Sequence, residues 1–403
     1  MRSNIVVGLD IGTHSIKMVV AQQREGGGLE VLGFGEEPSS GVRKGAVVNP
    51  EEVSKRIFAL KGRLENISKQ KIKEVFVNIG GSHVFTVPSH GIVAVSRADG
   101  QISQEDVDRV LQAAQAFSLP SNKEVLEVFP QQFLVDGEEQ VKEVVGMKGV
   151  RLEADVLAVC GFSPYLKNLT EAVLAADLEI ADIVASSLMS VATVLTPQQK
   201  ELGAAIIDLG AGTTGLAVYQ EGDLIHTATF PVGSENITND IAIGLRTEPH
   251  VAEQVKIEFG TCQGVKGKKM EKLETEDGVK LAFSQKMLSH IIDARVKEIF
   301  QLVNKELRKI SKQGMLPGGI VLVGGGAKMP KIVEAAKKDL KLTVKTGTPI
   351  GIVSFHSDPA FLGVMGLVVQ AVDSEPRKGR GNVMGMGSGI LQKAKRWVRP
   401  FIP

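Results

Sequence analysis

Two stretches of the chain carry the same ordered set of groups, VVGLDIGTHSIKMVV at residues 6–20 and AAIIDLGAGTTGLAV at residues 204–218. Each reads as an apolar strand, an aspartate, a nearby glycine, a hydroxyl residue and a second apolar strand. A tight turn of this kind presents successive backbone N–H groups, and such groups converge readily on an anion, phosphate above all. Glycine lets the backbone come close to a ligand and take up φ > 0. Asp10 and Asp208 stand just before the turns, where a carboxylate can hold the waters of Mg²⁺. Gly12, Thr13, Ser15 and Lys17 accompany the first aspartate, and Gly210, Gly212, Thr213 and Thr214 the second. One such segment is as readily an ordinary turn. Two strand-flanked copies about half a chain apart point to a duplicated, two-lobed protein that grips a phosphate chain from both sides.

A third motif, IVLVGGGAKMPKI, ends an apolar strand in Gly324, Gly325 and Gly326. It has neither Walker A nor G-x-G-x-x-G spacing. Three adjacent glycines instead offer a flat backbone surface for a planar base. No residue stands out as a general base for hydrolysis; His14 lies nearest, in the first turn, and reads as a loop residue.

The elements that must position these groups follow from pattern. After each hairpin comes a third strand-like segment, LEVLGFG and LIHTATFPV, as expected of antiparallel strands leading a mixed sheet. Residues 84–162 read as an inserted α/β module, in which Ser103 caps a helix with Asp106 in the capping-box position. Helices are expected over 164–177 and 185–195. The region 237–314 is largely helical, with apolar residues at 3–4 spacing and Lys and Arg on the other face.

Taken in order, LDIGTHSIK, IIDLGAGTTGLAVY, IVLVGGGAKMPKI and DPAFLGVMGL resemble the actin/Hsp70/sugar-kinase ATPase superfamily. The opening VGLDIGTHSIKMVVA, the site of the insertion, PVGSENITNDIAIGL…HVAEQVKIEFG and a basic tail after a glycine-rich linker narrow the resemblance to the bacterial cell-division family FtsA. It covers essentially the whole chain. The resemblance implies an α/β, duplicated two-lobed actin-like fold. Residues 1–83 and 163–202, with 353–372 returning, would form the first lobe, and 84–162 the insertion. Residues 203–236 and 315–352 would form the second lobe, and 237–314 its helical subdomain. It also implies an ATP and Mg²⁺ pocket, self-assembly into filaments and recruitment of the tubulin-like protein FtsZ through its C-terminal peptide. Carried over, the two turns hold the phosphates and Gly324 to Gly326 line the adenosine. Glu253 and Lys256 contact the ribose, unless they are simply a solvated helix pair. Arg295, Lys297, Lys305 and Arg308 could receive an acidic peptide or be an ordinary solvated face. Ser234 stands where the family pattern often has glycine, and its side chain would either crowd or bind phosphate. Turnover is expected to be slow or absent. A pilus-assembly relative, PilM, is the alternative; a sugar kinase or chaperone ATPase lacks an acceptor site or a peptide-binding domain.

Residues 373–388 form a glycine-rich linker, and 389–403 an amphipathic closing segment. Set at helical spacing, Ile390, Leu391, Trp397, Val398 and Phe401 share an apolar arc about 120° wide. Lys395, Arg396 and Arg399 lie opposite, and Lys393 flanks the arc. An only tryptophan among cations describes a helix lying on an anionic membrane. Pro400 should stop it near Val398 or Arg399.

Charge supports that division. Of 47 Lys and Arg, seven follow Pro376, where no Asp or Glu occurs, so an acidic body carries a basic tail and nucleic acid is not expected as a partner. Two distant cysteines suit reduced thiols and the cytoplasm. No apolar run reaches the roughly 18–20 residues that span a bilayer, and the resemblance implies a peripheral location on the cytoplasmic face of the membrane at the division site.

Overall fold

The computed structural model describes residues 5–24, 28–265, 269–275, 278, 280–353 and 358–374. The linker and the closing segment, with Ile390 to Phe401, lie outside them.

The duplication is visible in the sheets. In the first lobe the strand order is 179–185, 74–79, 5–11, 15–23, 29–38, with the short Ile352–Val353 strand added at the edge. In the second it is 344–346, 319–323, 204–209, 214–220, 223–230, which repeats the same five-strand topology. Each leading strand pairs antiparallel with its hairpin partner and parallel with a strand from later in the chain. Both leading strands are therefore central, and their near-continuous apolar character matches burial on both faces. Leu9, Ile16 and Met18 anchor one core and Ile207, Leu216 and Phe300 the other, all fully buried.

The closing helix, Leu362–Ser374, returns to the first lobe and packs Val364, Met365 and Val368 on Val6, Val19 and Ala21. It passes so close to Gly8 that a Cβ there would stand 2.7 Å from the carbonyl oxygen of Val364.

The insertion forms its own four-stranded antiparallel sheet, in the order 85–94, 151–162, 123–135, 139–141. Helix Gln104–Ala113 covers one face, with Ser103 and Asp106 in a reciprocal capping box. The insertion also touches the second lobe: Gln131 Nε2 donates to the Leu224 carbonyl (3.0 Å), and Lys142 pairs with Asp223 (2.9 Å).

The helical part of the second half comprises Ser234–Leu245, Pro249–Phe259 and Gln285–Lys309, with a two-stranded hairpin between the last two. The longest helix buries Leu288, Ile292, Val296, Ile299, Val303 and Leu307 along one stripe, as its periodicity predicts. One expectation differs. Helix Ser163–Ala175 forms, but the region expected as a helix over 185–195 is a run of turns with helix only at Val191–Val194. Ser186 and Ser187 there bond Asn78 (2.9 Å) and Thr227 (2.7 Å), hydrogen bonds that a regular helix would direct elsewhere.

Candidate functional site

The first turn closes through the Gly12 N–H, which donates to the Ser15 carbonyl at 3.2 Å. Any Cβ on Gly12 would sit 2.8 Å from that oxygen, so the turn requires glycine. Thr13 Oγ1 accepts from the Gly45 N–H (2.9 Å), which fixes its rotamer. Ser15 is buried, Lys17 lies opposite Asp10 in the hairpin register, and Lys17 Nζ is 5.9 Å from the Phe361 ring centre. His14 is exposed.

The second turn mirrors the first. A Cβ on Gly210 would lie 2.9 Å from the Thr213 carbonyl oxygen. Thr214 is fully buried and donates to the Val232 carbonyl (2.8 Å), so its hydroxyl holds the turn to the segment between strand Asp223–Phe230 and helix Ser234–Leu245. The turn is gripped from outside by the start of helix Ser234–Leu245. The N–H groups of Ser234 and Glu235 donate to the carbonyls of Gly210 and Ala211, both at 2.9 Å. Ser234 Oγ donates to the Gly210 carbonyl as well, at 3.1 Å. The Ser234 side chain thus braces the turn.

The two turns meet. A Cβ on Gly212 would lie 2.6 Å from Thr13 Oγ1 and 2.9 Å from Thr13 Cγ2. Behind this contact stand the two carboxylates. Burial raises Asp10 above the usual carboxylate range, against the pull of Lys17 and an Asn78 hydrogen bond. Burial, then the charge of Asp10, push Asp208 up to about 7, with Lys17 opposing. Two carboxylates from different lobes are close enough to repel, which is the situation a hard cation relieves. Among the described residues no cluster of three or more His, Cys, Asp or Glu gathers as a metal site. A donor set of two carboxylates completed by water suits Mg²⁺, which keeps several waters.

The glycine run lies alongside. Gly324 has φ 83°, and a Cβ on it would collide with Asp208 Oδ1. Gly326 packs on Leu209, and a Cβ there would be 2.9 Å from the Leu209 Cβ. Gly325 is exposed and a Cβ would meet nothing within 4 Å, so it presents open backbone of the kind a planar group can cover. An apolar pocket lined by Leu209, Ile237, Ile299, Phe300, Gly326 and Met329 adjoins it.

Glu253 and Lys256 are not a solvated pair. Lys256 is 8% exposed, and its Nζ donates to Glu253 Oε2 (2.6 Å), Thr238 Oγ1 (2.8 Å) and the Ser234 carbonyl (3.3 Å). The pair is therefore tied to the brace of the second turn. The other basic candidates stand on the long helix. Arg295 is held bidentately by Asp240 (2.7 and 2.9 Å) and by Glu298 (2.7 Å). Lys297, Lys305 and Arg308 are exposed, Arg308 bonding Gln313 (2.9 Å).

Sequence reasoning missed Asn78 and Ser186. Asn78 is 3% exposed and reaches Asp10 (2.8 Å), Ser186 (2.9 Å) and the Ile11 N–H (2.7 Å). The available signal was an amide inside the otherwise apolar VFVNIGG, since a buried amide demands partners.

Comparison with known proteins agrees with this architecture. A family model described as cell division protein FtsA matches residues 205–366, and one described as the SHS2 domain inserted in FtsA matches residues 81–160. Over 98% of its length the chain is 35% identical to cell division protein FtsA of Pseudomonas aeruginosa, covering 97% of that protein. It is 36% identical to the Bacillus subtilis FtsA over 94% of this chain and 86% of that one. Among solved structures, the PilM–PilN type IV pilus biogenesis complex aligns with TM-score 0.66 at 16% identity, over 92% of this chain and 99% of that chain. MreB5 of Spiroplasma citri bound to ADP aligns with TM-score 0.57 at 14% identity, over 93% and 99%. The structural likenesses establish an actin-like fold, and the sequence relatives establish more: the chain belongs to the FtsA family of cell-division proteins.

Proposed function

We propose that the chain binds ATP with Mg²⁺ between its lobes and, assembled into filaments, anchors FtsZ to the cytoplasmic face of the membrane at the division site. The observation that carries the nucleotide reading is the contact of Gly212 with Thr13, which brings together the two glycine turns that follow Asp10 and Asp208. In this reading the backbone of both turns cradles the phosphates, and the two aspartates hold the waters of Mg²⁺, whose charge neutralises them. Gly325 faces the base, and Glu253 with Lys256 borders the ribose. The ADP bound by MreB5 of Spiroplasma citri lends support by fold. His14 is exposed on the turn with no partner to orient it as a base among the described residues, so slow turnover or none remains the expectation.

The membrane step rests on the closing segment. Each of Lys393, Lys395, Arg396 and Arg399 contributes roughly 1 kcal/mol near an anionic leaflet, and each large apolar group roughly 1.5–3 kcal/mol before ordering costs. One tail then binds reversibly, and a row of tails on a filament binds firmly. The FtsZ C-terminal peptide would meet the exposed Lys297, Lys305 and Arg308, with Arg295 largely neutralised by its own partners.

Trp397 is the only tryptophan, so its emission reports the tail alone. With anionic vesicles a blue shift is expected, absent in a chain ending at residue 388, and flotation with vesicles should increase when Mg²⁺ and ATP are present. Unchanged emission at saturating lipid, or flotation indifferent to ATP, would overturn the anchoring reading.

A further inference from the structure

The duplicated lobes allow one to be read against the other. In the first lobe Leu9 pairs with Val77 in parallel register, so the next residue, Asn78, lies beside Asp10. In the second lobe Ile207 pairs with Leu322 and Asp208 with Val323. Val323 thus takes the place of Asn78, is 1% exposed and offers no side-chain donor. The two carboxylates that mirror one another are held differently.

Asn78 is fully committed. Its Oδ1 must face the Ile11 N–H at 2.7 Å, because that group can only donate. The NH₂ group therefore points the other way, one bond going to Asp10 Oδ1 (2.8 Å) and one to Ser186 Oγ (2.9 Å). Ser186 follows the strand Glu179–Ala185, and its own N–H donates to the Ile79 carbonyl (2.9 Å). Three adjacent strand ends are thereby cross-linked at Asp10, and Asn78 engages one carboxylate oxygen while making no claim on the other.

We propose that Asn78 is a positioning residue that fixes the Asp10 carboxylate toward the cleft and makes the first lobe the anchor for a divalent cation. Asp208, lacking such a partner, joins the cation rather than recruiting it. This inference rests on the reading of the cleft as a Mg²⁺–nucleotide site. Groups that orient a ligand from behind typically change metal affinity 10- to 100-fold when removed.

The test is Asn78→Val, which gives the first lobe the side chain of the second. Purified full-length protein is titrated with a fluorescent ADP analogue in EDTA and then, at fixed analogue, with Mg²⁺; Mn²⁺ uptake is followed in parallel by electron paramagnetic resonance. Nucleotide affinity in EDTA should stay within about twofold of the parent, and half-saturation with Mg²⁺ or Mn²⁺ should require on the order of tenfold more metal. If Asn78→Val does not fold by circular dichroism, Asn78→Ser, whose shorter side chain cannot span to Asp10, carries the same expectation. An unchanged metal requirement, or equal weakening with and without metal, overturns the assignment of Asn78 while leaving the reading of the cleft as a nucleotide site in place. A parent protein that takes up no nucleotide at all brings down the underlying reading as well.

Discussion

Replacing Gly212 with alanine tests the meeting of the lobes directly. The new Cβ would fall 2.6 Å from Thr13 Oγ1, 2.9 Å from Thr13 Cγ2 and 3.1 Å from Lys44 Cα. Thr13 cannot swing aside freely, since its Oγ1 accepts from the Gly45 N–H at 2.9 Å and rotation would forfeit that bond, worth about 0.5–1.5 kcal/mol. Otherwise the turns must part by a few tenths of an ångström. Overpacking of this kind costs about 1–3 kcal/mol, so affinity for Mg²⁺–ATP should fall roughly 5- to 150-fold. Thr13→Ala removes both offending atoms. The double variant should therefore recover much of the loss, with a coupling of at least about 1 kcal/mol in a double-mutant cycle. The affinities come from titration with a fluorescent ATP analogue, with circular dichroism to check each fold. Additivity within about 0.5 kcal/mol would mean that the turns do not touch, and the reasoning would fail.

Asp208 makes stability depend on pH. Its folded value of about 7 lies above the ordinary carboxylate range, so the folded chain keeps a proton that the unfolded chain has released. Stability without divalent cation should therefore fall as pH rises from about 4 to about 7, by about 1.4 kcal/mol per pH unit at most, and level off above. Asp208→Asn should flatten the fall, as followed by thermal unfolding in EDTA; an unaltered slope would contradict the assignment. Lys256→Met leaves Glu253 without its cation beside the second turn and should destabilise by about 1–3 kcal/mol, less than a fully buried pair because Glu253 is a third exposed. Adding Glu253→Gln should restore part of that loss in the same melts. Lys142→Ala should change global stability by less than about 1 kcal/mol, as for other exposed pairs. It should nonetheless speed hydrogen exchange along Asp223–Phe230, where the insertion clasps the second lobe.

What was legible in the sequence was local. A strand, an aspartate, a tight turn and a second strand lie within fifteen residues, so both hairpins and their duplication could be read before any tertiary contact was known. The Ser103–Asp106 capping box is equally local. What escaped depends on residues far apart in sequence. Asn78 meets Asp10 and Ile11 only because two strands run parallel. Arg295 is neutralised by Asp240 from another helix, which no helical wheel of its own segment reveals. The buried Lys256 and the bracing Ser234 share one cause: helix Ser234–Leu245 starts against the second turn. The expected helix over 185–195 failed because an apolar, small-residue run does not distinguish a helix from tight turns whose serines are claimed by neighbouring strands.

The central claim is that both lobes together clasp one Mg²⁺–triphosphate. Equilibrium dialysis of the full-length protein against labelled ATP decides it. The structure leads us to expect one saturable site per chain, strengthened by Mg²⁺ and weakened by Asp10→Ala and by Asp208→Ala. Uptake that never saturates, or that survives the loss of either aspartate in the presence of Mg²⁺, would contradict it.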